Sequence, residues 1–199
     1  MAPVIHCVRH AQGYHNLSAK NHSIHDPRLT KVGEQQCRDL LAAFPHHKSV
    51  ELLVTSPLRR TVYTTLISFE PVLEKGVQII ALPEAQETSD VPCDTGSGPS
   101  VLHAEMSGLP LDLSLVHDGW NNKVGKWAPT SEAIIARAKE ARKWLKERPE
   151  KEIVLVTHGG YLHYFTEDWS DSSLYAGEST ALLPFFRLRI LRQSGHLQH

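Results

Sequence analysis

The sequence predicts an α/β fold, a three-layer α/β/α sandwich with a mostly parallel central sheet. Short apolar runs rich in β-branched residues alternate with longer segments whose apolar residues recur at helical spacing, and this alternation is typical of parallel sheets covered by helices. The 199 residues, 41% of them hydrophobic and 22% charged, are enough for one domain with a buried core. We therefore expect residues 1–199 to form a single domain, with small cap segments within 85–129.

The first half of the chain supplies three predicted strands and two predicted helices. The strands are predicted over residues 3–8, 51–55 and 77–82. Thr30 is the predicted N-cap of the first helix, which Pro45 ends. Ser56 is predicted to cap the second helix, with Pro57 in its first turn.

The second half is less regular before the same alternation resumes. Residues 83–108 hold several prolines and glycines without apolar periodicity, which indicates an irregular cap, with residues 111–129 as its partner. The elements predicted after it are a helix capped by Thr130 or Ser131, a strand over residues 152–157, a helix from about Tyr161, and one or two strands within residues 181–191.

Charge and composition exclude several classes of function. Lys plus Arg number 21 and Asp plus Glu 22, a net charge of −1, so the chain lacks the basic surplus of a nucleic-acid-binding protein. The longest apolar runs are too short to cross a bilayer. Residues 1–10 lack the pattern of a secretory signal, and three widely spaced cysteines indicate free thiols in a reducing compartment. We expect a cytoplasmic protein that binds neither nucleic acid nor membrane.

Reactive side chains follow the predicted strands. Arg9 and His10 come directly after the first strand, and His158 follows a later one. Arg60 lies one turn into the helix after the second strand, and Glu84 follows the third. Because the carboxyl ends of parallel strands meet at one edge, where ligands bind, we expect these side chains to converge there.

This combination of side chains suits a phosphate ester. Guanidinium groups and helix amides bind phosphoryl oxygens, and a neutral imidazole can attack phosphorus to form a phosphohistidine. A carboxylic acid can protonate the leaving oxygen and afterwards activate water, while Arg60 and His158 can stabilise the developing charge. This scheme uses no metal ion and no cofactor, and the partner that it requires is a small phosphorylated molecule.

Four blocks of sequence resemble the histidine phosphatase superfamily, the phosphoglycerate mutase-like proteins. The blocks are Val8-Arg9-His10-Ala11, Leu29-Thr30-Lys31-Val32-Gly33-Glu34-Gln35-Gln36, Thr55-Ser56-Pro57-Leu58-Arg59-Arg60-Thr61 and Val156-Thr157-His158-Gly159-Gly160. They occur in the family's order over residues 4–160, and Asn16 follows His10 at the family's spacing. Ala11 departs from the more usual glycine. The stretch 82–97 is similar to a fungal-type branch of the superfamily.

The resemblance implies an α/β/α fold with His10 as the catalytic nucleophile and His158 as a second catalytic histidine. The residues that it assigns to the transferred phosphoryl group are Arg9, Asn16, Arg60 and His158. The proton donor that it favours is Glu84, in the family's position after the third strand, and Glu87 is the alternative. The cap residues expected near the leaving group are Ser97, Trp120 and Lys123. No metal ligand is implied.

The expected function is therefore a metal-independent phosphatase that hydrolyses a small phosphomonoester through a phosphohistidine. Mutases of the family resemble longer chains with more elaborate insertions, so this short chain favours hydrolysis over phosphoglycerate mutase-type transfer. Two alternatives stay open. One is a member that has lost phosphatase activity and serves as a binding protein, and the other uses the same pocket for chemistry on a compact anion without phosphate.

Neighbouring residues have structural interpretations. Arg59 is expected in a surface salt bridge, because only Arg60 of this pair falls in the motif register. Gly33 is expected at a point of close packing. His15 and His22 share a loop near the predicted pocket, but no cysteine or carboxylate pattern completes a tetrahedral metal site around them.

Overall fold

A seven-stranded β-sheet runs through the described part of the protein, which in this computed structural model is residues 3–170, 185–190 and 197–198. The strands are β1 (Val4–Arg9), β2 (Leu52–Thr55), β3 (Ile79–Ala81), β4 (Leu111–Asp112), β5 (Glu152–Thr157), β6 (Phe185–Ile190) and β7 (Leu197–Gln198). Their order is β4-β3-β2-β5-β1-β6-β7. Neighbouring strands from β4 to β1 are parallel, and β6 and β7 add antiparallel pairs at the other edge.

Helices cover both faces of this sheet. Within the described residues they are α1 (Lys31–Ala43), α2 (Arg59–Ser68), α3 (Glu70–Leu73), α4 (Pro99–Glu105), α5 (Ser131–Lys146) and α6 (Gly159–Thr166). Successive strand residues point to opposite faces, so Ile5 and Cys7 pack in the core under α5 and α6, while Val8 packs in the core under α1. The three-layer α/β/α architecture is confirmed. No helix in this part of the chain combines the length and apolar character of a membrane span.

Two predicted helix starts have different outcomes. The Thr30 hydroxyl accepts a hydrogen bond from Gly33 N at 3.0 Å, so Thr30 caps α1 as predicted. The prediction that Ser56 caps α2 is wrong, because the helix begins at Arg59. Arg59 N donates to Asp26 Oδ1 at 3.0 Å. The acceptor at the start of α2 is therefore a carboxylate distant in sequence and not the hydroxyl of the neighbouring serine.

The stretch predicted as an irregular cap contains regular structure that joins the main sheet. Pro99 begins α4, and β4 pairs in parallel with β3. Leu102, Met106 and Trp120 pack against apolar residues of α2. The prediction of irregular structure over residues 83–108 is wrong for α4, because a helix of seven residues with one buried position shows little periodicity in sequence. In the tail, positions 181–184 and 191 lie outside the described residues.

The strand order opens a crevice between β1 and β5. The chain leaves β1 toward α1 on one face of the sheet and leaves β5 toward α6 on the other, and such a reversal creates a binding crevice at the carboxyl ends. The hydrogen-bond ladder continues past both strands, since His10 N donates to Thr157 O at 2.9 Å. His10 and His158 therefore stand side by side at the crevice.

Gly33 brings α1 against the loop that follows β1. A Cβ at this position would lie 2.1 Å from the Gln12 carbonyl oxygen, and the same oxygen accepts a hydrogen bond from Thr30 N at 3.0 Å.

We expect Gly33→Ala to lower the free energy of unfolding by about 1–3 kcal/mol, the usual cost of overpacking, as measured by urea denaturation. Gly98→Ala is the matched control, because a Cβ there meets nothing within 4 Å. Equal losses in both variants would contradict the packing role.

Candidate active site

A cavity of about 340 Å³ opens at the carboxyl ends of β1 and β5. The residues that line it include Arg9, His10, His15, Asn16, Glu87 and Asp94. Arg60 and His158 are fully buried and join the lining through hydrogen bonds to it and to each other. The predicted convergence of histidines and arginines at this edge of the sheet is present in the structure.

The guanidinium of Arg60 lies between the two histidine rings. The centroids of the His10 and His158 rings are 5.2 Å apart, with the ring planes at 63°. Arg60 Nε donates to His10 Nε2 at 3.1 Å, and Arg60 Nη2 donates to His158 Nδ1 at 3.0 Å. One charged group is therefore hydrogen-bonded to both rings.

Hydrogen bonding assigns the tautomer of His10. Nδ1 lies 2.7 Å from the Ala11 carbonyl oxygen, which can only accept, so Nδ1 carries the proton. Nε2 then presents its lone pair, which accepts the hydrogen bond from Arg60. Burial, with the charge of Arg60, lowers the pKa of His10 well below 6.5. His10 is thus a neutral imidazole, the form that acts as a nucleophile.

His158 has the opposite tautomer. Its Nδ1 accepts from Arg60, so Nε2 carries the proton and donates to Ser56 Oγ at 2.8 Å. Ser56, which the sequence assigned to a helix cap, instead orients this ring. Burial and the charge of Arg60 also lower the pKa of His158 well below 6.5. Both central histidines are therefore neutral near pH 7.

The two consecutive arginines of α2 have separate roles. Arg59 Nε donates to Glu105 Oε2 at 2.7 Å, which is the salt bridge predicted for it. Arg60 is fully buried, and besides the histidines it binds the Cys93 carbonyl oxygen at 2.5 Å and Asp94 Oδ1 at 2.9 Å. Successive helical residues point about 100° apart, so only one of the pair can face the cavity.

Arg9 and Asn16 add donors to the cavity wall. Asn16 Oδ1 already accepts a hydrogen bond from Gly13 N at 2.9 Å, so the group that Asn16 can offer a ligand is its NH₂ donor. Arg9 is the last residue of β1, beside the nucleophilic candidate His10. The lining thus presents donors where the sequence predicted phosphoryl binding.

The structure separates the two candidate acids. Glu84 lies away from the histidines: its Oε1 accepts from Lys126 Nζ at 2.6 Å, and it lines a second cavity beside α5. Glu87 lines the cavity that contains His10. The cause is local backbone geometry, because a 3₁₀ turn at Pro83–Ala85 carries Glu84, and the extended residue Gln86 then returns the chain to the cavity. The preference for Glu84, which the resemblance implied from its position after the third strand, is therefore not supported by the geometry of the cavity.

Glu87 packs against the first turn of α6. A Cβ at Gly160 would lie 2.7 Å from Glu87 Oε1, so glycine allows this approach. The same Oε1 accepts from Thr88 N at 2.8 Å. Burial raises the pKa of Glu87 above its usual 4.5, and the nearby charge of Asp94 adds to the rise. A carboxyl group in this environment holds its proton more tightly and can serve as a general acid.

Sequence reasoning gave no role in the site to three residues that line the cavity. The His15 ring lies 5.4 Å from the His10 ring, and burial with the charge of Arg60 lowers the pKa of His15 to about 3. His22 and Asp94 also line the cavity. The loop that His15 and His22 share was already expected near the pocket. Asp94 lies in the stretch 82–97 that is similar to a fungal-type branch, and that resemblance assigned it no role.

The expected leaving-group residues lie outside this lining. Ser97 donates from its backbone N and its hydroxyl to Asp26 Oδ2, at 3.0 and 2.8 Å. Trp120 is buried against Gly96, where a Cβ would collide with the indole ring. Lys123 Nζ reaches the Glu87 carbonyl oxygen at 3.3 Å.

Among the residues that the structure describes, no group of three or more His, Cys, Asp or Glu side chains has a metal-binding arrangement.

Comparison with known proteins assigns the family. The family model described as histidine phosphatase superfamily (branch 1) matches residues 5–196. This chain belongs to the histidine phosphatase superfamily. Its nucleophile candidate, buried arginine and second histidine thus lie within the region that defines the superfamily.

Relatives of this superfamily member carry both mutase-like and phosphatase names. A phosphoglycerate mutase-like protein from Arabidopsis thaliana is 31% identical over 197 residues, which cover 80% of this chain and 72% of the relative. A probable phosphatase from Schizosaccharomyces pombe is 28% identical over 166 residues, covering 81% of this chain and 76% of the relative. The ecdysone phosphate phosphatase of Bombyx mori has the same fold, with a TM-score of 0.65 and 13% identity over 94% of this chain and 89% of that one.

Burial of neutral histidines makes the stability of this protein depend on pH. The pKa values of His10 and His158 lie well below 6.5 and that of His15 near 3, so below about pH 6.5 the unfolded chain binds protons that the folded chain does not. We expect the free energy of unfolding to fall by about 1 kcal/mol per such histidine between pH 7 and pH 5.5, as measured by urea denaturation. Glu87, whose pKa is raised, has the opposite effect: the folded chain binds its proton more readily than the unfolded chain, so Glu87 raises the free energy of unfolding as the pH falls. His15→Gln should make the dependence shallower, and parallel curves would contradict this account.

Proposed function

We propose that this protein is a phosphatase that hydrolyses a small phosphomonoester through a phosphohistidine formed at His10. The observation that carries the proposal is the lone pair of His10 Nε2, which accepts a hydrogen bond from the buried guanidinium of Arg60. The centroid of the His10 ring lies 5.2 Å from that of the His158 ring. Membership of the superfamily and the phosphatase names of its relatives support it.

The first step transfers the phosphoryl group to the protein. His10 Nε2 attacks phosphorus while the bond to the leaving alcohol oxygen breaks, and Glu87 gives that oxygen its proton. Donors from Arg9, Arg60 and Asn16 bind the phosphoryl oxygens and stabilise the charge that develops on them. His158 holds the guanidinium of Arg60 in place through Nδ1, and its direct contact with the phosphoryl group stays a prediction.

The second step returns the site to its starting state. Water attacks the phosphorus of the phosphohistidine, and the Glu87 carboxylate takes the proton of that water. The bond between phosphorus and His10 Nε2 breaks, inorganic phosphate leaves, and Glu87 is protonated again. The same carboxyl group thus acts first as an acid and then as a base, which suits a group whose pKa lies above its usual 4.5.

We expect His10→Ala to lose at least about a thousandfold in kcat and to form no acid-labile phosphoprotein, because the variant lacks the Nε2 lone pair that attacks phosphorus. The measurements are hydrolysis of p-nitrophenyl phosphate and labelling by a radioactive phosphomonoester. His22→Ala is the control, since His22 lines the same cavity and has no part in the proposed steps. Near-normal turnover by His10→Ala would refute the nucleophile. Transfer of the label to an added alcohol, rather than to water, would indicate a mutase-type reaction.

Glu87→Gln should slow alkyl phosphates more than p-nitrophenyl phosphate, by at least about tenfold in the ratio of kcat values, because a good leaving group needs little protonation. Glu84→Gln is the matched control, since its carboxylate pairs with Lys126 outside the cavity. The opposite result, with alkyl phosphates slowed selectively in Glu84→Gln and not in Glu87→Gln, would restore the assignment to Glu84 that the family resemblance favours.

A further inference from the structure

The carboxylate of Asp94 lies where an anion in the cavity would meet Arg60. Asp94 Oδ1 accepts from Arg60 Nη2 at 2.9 Å, and Asp94 Oδ2 accepts from Ser89 Oγ at 2.6 Å. Asp94 and Ser89 both line the cavity, whereas Arg60 is 0% exposed. An anion that approaches the guanidinium from the cavity therefore encounters this carboxylate.

Of the hydrogen-bond partners of Arg60, Asp94 is the one that a ligand in the cavity can displace. His10 and His158 are buried rings held by further hydrogen bonds, and the Cys93 carbonyl belongs to the backbone. Asp94 is a partly exposed side chain at the end of the 3₁₀ turn Pro92–Asp94. A phosphoryl oxygen, as a charged acceptor, can replace Asp94 Oδ1 on Nη2 with no loss of hydrogen bonding by the guanidinium.

We propose that Asp94 is a specificity-determining residue. The phosphoryl group replaces it on Arg60, and its negative charge then favours phosphomonoesters whose leaving alcohol is neutral or cationic. This inference rests on the proposed function, because it requires phosphoryl binding at Arg60. The hydrogen bond from Ser89 to Oδ2 keeps the displaced carboxylate in the cavity. It remains there as a negative charge beside the bound phosphoryl group.

The charges around the cavity favour this selection. The guanidinium groups of Arg9 and of the buried Arg60 carry permanent positive charges at the cavity. The ammonium of Lys123 donates to the Glu87 carbonyl oxygen. With Arg9 and Arg60 engaged by the phosphoryl group, a second anion in the substrate would face the negative charge of Asp94. Lys123 lies outside the cavity lining and offsets only part of that charge. An ammonium group would instead pair with Asp94.

The test compares three small substrates that differ in the charge of the leaving alcohol: phosphoethanolamine, glycerol 3-phosphate and 3-phosphoglycerate. For the wild-type protein we expect kcat/KM to fall in that order. In Asp94→Asn, the ratio of kcat/KM for 3-phosphoglycerate to that for phosphoethanolamine should rise by about tenfold, the effect of removing one like charge at close range. Asp90→Asn is the matched control, because it removes the same charge from an exposed position on the same loop, and its ratio should stay at the wild-type value.

A second measurement separates this inference from the proposed function. Inorganic phosphate, titrated calorimetrically into the wild type and both variants, should bind about tenfold more tightly to Asp94→Asn alone, because the competing carboxylate is gone. Unchanged phosphate affinity, or a uniform loss of turnover with the same substrate ratio, would overturn the inference and leave the phosphatase proposal intact. If no phosphomonoester is hydrolysed but phosphate binding tightens, the proposed function fails and the role of Asp94 at Arg60 stands. Asp94→Ser repeats both measurements if the asparagine variant does not fold.

Discussion

The arrangement of the site depends on one buried cation, the guanidinium of Arg60. A guanidinium without exposure to water is costly unless its N–H groups are satisfied. Here two imidazole nitrogens, a carbonyl oxygen and a carboxylate accept from it. Because its planar fork directs these bonds at set angles, it fixes the tautomer and position of both histidines together with the Ala11 carbonyl oxygen and Ser56. The nucleophile, the second histidine and the loop that carries Cys93 and Asp94 are therefore parts of one hydrogen-bonded unit.

Asp26 holds the loops around this unit. Its carboxylate accepts from Arg59 N at the start of α2 and from the backbone N and hydroxyl of Ser97, and its own N donates to the Pro92 carbonyl oxygen at 3.3 Å. The residue adopts a left-handed conformation with φ 43°, which costs free energy for a residue other than glycine. The hydrogen bonds offset that cost. They join the loop after β1, the start of the helix that bears Arg60, and the loop that bears Asp94.

Balance of charge connects the chemistry to this framework. Arg9 and Arg60 face two carboxyl groups, of which Asp94 pairs with Arg60 and Glu87 has a raised pKa. A phosphoryl group that replaces Asp94 on the guanidinium would change one hydrogen-bond partner of Arg60 and would also bind Arg9. Such a site is prepared for its ligand by its own side chains, which reduces the reorganisation that binding and reaction require.

The sequence by itself determined the alternation of strands and helices, the cap at Thr30 and the convergence of His10, Arg60 and His158 at one sheet edge. These features follow from local periodicity, from local hydrogen bonding and from the rule that the carboxyl ends of parallel strands meet at one edge. They can therefore be predicted from residues that are near one another in the sequence. Tertiary structure alone decided that Glu87 rather than Glu84 lines the cavity, that Ser56 orients a histidine, and that Asp26 and Asp94 complete the site. The physical reason is that a short turn can direct neighbouring side chains to different surfaces, and the partners that hold them lie tens of residues away.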